Sequence, residues 1–144
     1  MQTILTQIAE HRALTREDAA RAMSLMLKGE ASPEQIAAFL LGLRSRGETL
    51  EELIGLTESM RKFAVPVSAP AHAVDIVGTG GDRSGSFNIS TTTALVCAGA
   101  GAVVAKHGNR SVSSKCGSAD VLELLGVKTE LGKEGVEYCL NEAG

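Results

Sequence analysis

Twice in this chain an apolar, β-like run gives way to a polar, glycine-rich loop and then to a helix start: Asp75 to Thr91 (DIVGTGGDRSGSFNIST) and Lys106 to Asp120 (KHGNRSVSSKCGSAD). Ala73 to Val77 reads as a strand, Ser90 to Ala98 as a helix, Ala102 to Ala105 as a strand and Ser118 to Leu125 as a helix. A further helix is expected over about Lys133 to Asn141. That order belongs to a parallel sheet with right-handed crossovers. Ligands of such sheets sit beyond the carboxyl ends of the strands, and both loops follow strands directly, so they should share one rim. Two strands alone leave open edges and an uncovered face. The expectation is therefore the start of a parallel-sheet α/β domain, truncated at the end of the chain.

Ahead of it, the periodicity is helical and the start signals are explicit. A short segment around Ile4 and Ile8 comes first. Thr15 with Asp18, Ser32 with Gln35 and Thr49 with Glu52 then have the spacing of capping boxes, and Pro33 takes a first helical position. Gly29 and Gly47 stand where left-handed C-terminal caps are expected, and Pro66 prevents continuation of the last helix. Ile36, Leu40 and Leu43, then Leu53, Leu56, Met60 and Phe63, recur at helical spacing and are expected to form buried stripes. These stripes exceed what four short helices can cover among themselves, which suggests that more chain or a second subunit, as in a homodimer, packs against them. The boundaries read as a helical domain over 1–65, a proline-rich linker over 66–72 (within VPVSAPAH) and a partial α/β domain over 73–144.

Composition narrows the partners. With no Trp, one Tyr, three Phe and a net charge of −3, the chain has neither base-stacking platforms nor a broad basic footprint, so nucleic acid is not expected. No run reaches the roughly 18 apolar residues of a membrane span and no signal peptide is evident, which makes the expected address cytoplasmic and no membrane partner is foreseen. Cys97, Cys116 and Cys139 are odd in number and lack histidines at ligand spacing, so they read as free thiols.

The loops do not follow the familiar phosphate fingerprints. From Gly78, GxGxxG would need glycine where Arg83 stands, and no GxxxxGK[ST] can be drawn. Gly78, Gly80 and Gly81 allow close backbone approach to a ligand, or simply a tight strand-to-helix turn. Asp82 repels bare phosphate, so it either fixes the loop through backbone N–H groups or meets the hydroxyls or divalent cation of a sugar phosphate. Asn88, Ser90 and Thr91 either cap the following helix or touch phosphate or metal-bound water. Lys106, Arg110 and Lys115, among Asn109, Ser111, Ser113 and Ser114 and before a helix start at Ser118, make a local anion field. His107 suits proton transfer but also fits a structural hydrogen bond at a strand end. Cys97 reads as core, and Cys116 has no evident base to activate it.

With the helical unit ahead of them, GTGGD at Gly78 to Asp82, FNIST at Phe87 to Thr91, KHGNR at Lys106 to Arg110 and GSADVLE at Gly117 to Glu123 closely resemble the anthranilate phosphoribosyltransferase family. That family shares its class with pyrimidine nucleoside phosphorylases. The resemblance implies transfer of a phosphoribosyl group from phosphoribosyl pyrophosphate (PRPP) to the amine of anthranilate, with Mg2+, in a homodimer built through the N-terminal helices. Departure of pyrophosphate from the anomeric carbon asks for electrostatic preorganisation more than for a covalent nucleophile.

The implied PRPP contacts are Gly78, Gly81, Asp82, Ser86, Asn88, Ile89, Ser90 and Thr91 from the first loop. From the second they are Lys106, His107, Gly108, Asn109, Arg110, Ser111, Val112, Ser113, Ser114 and Ser118. Ser90 matches a metal contact, Gly78 and Asn109 match anthranilate contacts, and His107 is the candidate catalytic residue. The family's later acidic pair for magnesium and its arginine for the anthranilate carboxylate have no counterpart here, so the chain alone is expected to be weakly active or inactive. The rival readings are a nucleoside phosphorylase of the same fold and a non-catalytic dimerisation or binding module.

Overall fold

The structure, a computed structural model, describes residues 1–78, 87–108 and 117–143. Contacts divide the chain into two compact units, Met1–Val65 and Pro66–Gly144. Four helices build the first: α1 (Gln2–Ala9), α2 (Arg16–Leu27), α3 (Pro33–Arg46) and α4 (Leu50–Phe63). Their starts are fixed locally, as a cap needs only its own next turn. Thr15 Oγ1 accepts from the Asp18 amide at 3.1 Å, and Ser32–Gln35 and Thr49–Glu52 form complete capping boxes. Gly29 and Gly47 both take positive φ, the left-handed region that costs glycine little.

Within this unit α2 packs on α4 and α1 on α3. The core gathers Ile4, Ile8, Leu14, Ala19, Ala22, Phe39 and Leu43, with Leu56 packed partly against it. The expected stripes are corrected here. On α3 the buried pair is Phe39 and Leu43, while Leu40 is exposed. On α4 the buried face is Glu52, Gly55 and Ser59, and Leu53, Met60 and Phe63 are exposed. The reason is close approach: a Cβ on Gly55 would collide with the Arg16 carbonyl at the start of α2 and sit 3.2 Å from Ala19 Cβ, so this face needs small residues. Glu52 is fully buried beside them because its four acceptor contacts are met. Oε1 takes the Leu14 amide at 2.8 Å and Arg46 Nη2 at 2.5 Å, and Oε2 takes the Thr49 amide at 2.7 Å and hydroxyl at 2.9 Å.

In the second unit α5 (Ile89–Gly99), α6 (Ser118–Leu124) and α7 (Lys133–Glu142) follow the expected helices closely. The segment after Pro66 is anchored within this unit by the Ser68 amide, which donates to Glu137 of α7 at 2.7 Å. The two β-like runs meet in parallel, but through one bridge, Val74 with Val104, and no strand forms among the described residues. The Val74 amide donates to Val103 at 3.0 Å and the Ala105 amide to Val74 at 2.9 Å. In a longer parallel ladder the next rung would bring the His107 amide to the Ile76 carbonyl. That carbonyl accepts the Lys106 ammonium at 2.7 Å instead. Cys97, expected in the core, is half-buried. Among the described residues, no helix is long and apolar enough to cross a membrane.

Candidate functional site

The Val74–Val104 bridge sets two segments side by side, and each runs directly into one of the glycine-rich loops. Side chains then fasten the loop entrances together. Lys106 Nζ donates to the Ile76 carbonyl at 2.7 Å and lies 3.4 Å from the His107 carbonyl. His107 Nδ1 lies 2.9 Å from Asp75 Oδ2. One step further on, Gly108 comes so close to Ser118, the first residue of α6, that a Cβ there would collide with the Ser118 hydroxyl. A larger residue in place of the glycine of KHGNR would have to turn the Ser118 hydroxyl aside. Asp120 Oδ2 accepts the Gly117 amide at 2.7 Å and closes the start of α6.

The start of α5 carries Asn88, Ser90 and Thr91. Asn88 is the N-cap residue, but its side chain makes no capping hydrogen bond to the helix. Thr91, in the first turn, is buried at 2% exposure, and its Oγ1 has no hydrogen-bond partner among the described residues. A buried hydroxyl without a partner is costly, and here it stands beside the backbone N–H groups that a helix start leaves over. Ser90 is half-buried and Ile89 exposed in the same turn. The Thr91 hydroxyl is thus left without an acceptor among the described residues, and an oxyanion at the helix start would supply one.

The structure thus brings Lys106 to Ile76 and His107 to Asp75 at the entrance of the first loop, and Gly108 to Ser118. Gly78 lies at the end of the first segment, exposed. Gly81, Asp82 and Ser86, with Asn109, Arg110, Ser111, Val112, Ser113 and Ser114, lie outside the described residues. Asp75 is the residue that sequence reasoning passed over. Its signal was a lone carboxylate within the apolar run Ala73 to Val77, where a strand facing only core would have none.

A helical bundle followed by a unit in which two segments meet in parallel and run into glycine-rich loops defines a class, and the chain belongs to it. It is a member of the glycosyl transferase family whose helical bundle domain matches residues 2–64 and whose a/b domain matches residues 70–144. More particularly, it is 59% identical over its full length to the anthranilate phosphoribosyltransferase of Salinibacter ruber and 50% identical to that of Rhizobium rhizogenes. It spans 42% and 43% of those two relatives' length. The crystal structure of anthranilate phosphoribosyltransferase from Thermus thermophilus superposes with a TM-score of 0.82 at 41% identity, over 96% of this chain and 43% of that one.

Proposed function

We propose that the two loops bind PRPP with magnesium and that the chain serves an enzyme that transfers the phosphoribosyl group to the amine of anthranilate. The products are N-(5-phosphoribosyl)anthranilate and pyrophosphate, a step of tryptophan biosynthesis. The observation that carries this reading is the fastening of the two loop entrances by Lys106 on Ile76 and His107 on Asp75. It sets a lysine charge and glycine backbone beside one another, as an anionic ligand needs. The names of the similar proteins support the choice of substrates.

In this reading the unpartnered Thr91 hydroxyl and the amides opening α5 donate to phosphate oxygens. Ser90 offers magnesium an oxygen donor, the type this ion prefers. Among the described residues no three His, Cys, Asp or Glu side chains gather. When bound, magnesium neutralises charge on the departing pyrophosphate. The full parallel sheet and a homodimer formed through the exposed Leu41, Leu53, Met60 and Phe63 of the helical unit belong to the same proposal.

Calorimetry tests it directly. PRPP with magnesium should release heat on binding to this chain, whereas thymidine with phosphate should not. Binding of the nucleoside alone would move the assignment to a phosphorylase, and a silent titration with both would leave only a binding or dimerisation module. Sedimentation of the same sample reports the dimer.

A further inference from the structure

The parallel bridge fixes Val74 opposite Val104, so Asp75 and His107 emerge close together at the loop entrances, with Nδ1 of the ring 2.9 Å from Oδ2 of the carboxylate. An ionised carboxylate can only accept a hydrogen bond, so the ring proton in this contact is on Nδ1. The other ring nitrogen, Nε2, makes no hydrogen bond among the described residues. Both side chains are open to solvent, at 71% exposure for His107 and 45% for Asp75. An exposed pair of this kind adds little to stability, so holding the fold together does not explain it.

We propose that Asp75 is a positioning residue: it holds His107 in the Nδ1–H tautomer and presents an unprotonated Nε2 to the amine that accepts the phosphoribosyl group. This rests on the reading of the two loops as a PRPP site. As the amine nitrogen bonds to the anomeric carbon, the bond from that carbon to the pyrophosphate oxygen breaks and its electron pair leaves with pyrophosphate. The nitrogen, now carrying one proton too many, passes it to Nε2. The imidazolium that results stays paired with the Asp75 carboxylate, which lowers the cost of that charge without taking the proton itself. An aspartate orienting a histidine base in this way is a recurring solution on unrelated folds.

The test uses the 144-residue chain with nitrogen-15 in its three histidines. Long-range proton–nitrogen correlation at alkaline pH identifies each ring's tautomer, with His107→Gln supplying the assignment. Wild type should show the Nδ1–H form at His107, and Asp75→Ala should move it to the Nε2–H form that unpartnered imidazole prefers, leaving His11 and His72 unchanged. A predominantly Nε2–H ring in wild type overturns the proposal by itself, even if Asp75→Ala fails to fold, and so does a variant with unaltered tautomers. Calorimetry with PRPP and magnesium on the same wild-type sample separates the two claims. An Nδ1–H ring without PRPP binding would keep the pairing, defeat the phosphoribosyl reading and remove the role in amine deprotonation.

Discussion

Glu52→Gln should come close to unfolding the helical unit. Glutamine keeps one oxygen, so its amide nitrogen must face either the Thr49 amide or the Leu14 amide with Arg46, and at least one buried backbone donor loses its acceptor. Breaking a buried ion pair from one side costs roughly 3–5 kcal/mol, and the partner left behind, Arg46, has a side chain only 12% exposed. A second route gives a similar figure. Burial opposes ionisation of Glu52, but Arg46, the Leu14 and Thr49 amides and the Thr49 hydroxyl outweigh it and hold the carboxyl at about 2. Against an ordinary glutamate near 4.3, two pH units correspond to about 3 kcal/mol.

A unit of this size has roughly 3–10 kcal/mol in all, and such a loss corresponds to a fall in Tm of roughly 12–24 °C. The assay is thermal unfolding followed at core resonances of Leu14 and Phe39. Because the folded-state value is depressed, the contribution is complete above about pH 4.3 and disappears as pH falls towards 2. The gap between wild type and variant should therefore close over that window. A loss of less than about 4 °C, or a gap as wide at about pH 2.5 as at neutrality, would refute the reasoning.

Other expectations are more local. Gly55→Ala should destabilise the helical unit by about 1–3 kcal/mol in urea unfolding, because the added methyl meets the Arg16 backbone carbonyl and not a flexible side chain. Gly108→Ala should weaken PRPP binding by about tenfold in calorimetry while leaving the melting of the helical unit unchanged, since it displaces Ser118 and nothing in that unit. Lys106→Ala should reduce PRPP affinity more than Cys97→Ser, because only the first removes a charge and a tie between the loop entrances; equal losses would count against the second loop.

What the sequence revealed divides by the range of the physics. Thr15, Ser32 and Thr49 were legible as caps because their partners lie three residues away. The helices of the second unit lie close to their expected bounds although α5 and α7 start without a side-chain cap. The buried face of α4 was not, because periodicity finds apolar stripes, whereas close packing on α2 selected Gly55 and Ser59 and a buried carboxylate met by donors from Leu14 and Arg46. Of the partners of Glu52, the capping pattern announces only Thr49; the Leu14 amide, 38 positions away, and Arg46 belong to other parts of the unit.

The site shows the same limit. Lys106, His107 and Gly108 were named from chemistry and resemblance, but the pairing of His107 with Asp75 crosses 32 positions and depends on the parallel register of Val74 with Val104. The two β-like runs were read as strands from their composition. Their contact is a single bridge, with the Lys106 ammonium on the carbonyl where the next rung would form. Alternation indicates that a segment is extended, but the hydrogen bonds of its neighbours decide how far a ladder runs.

Amide chemical-shift mapping during titration of this chain with PRPP and magnesium asks most directly whether the loops form one anion site. The account predicts saturable shifts confined to Ile76 to Gly78, Asn88 to Thr91, Lys106 to Gly108 and Ser118, together with the loop residues between them. Shifts centred on the helical unit, or movement of one loop entrance without the other, would contradict it.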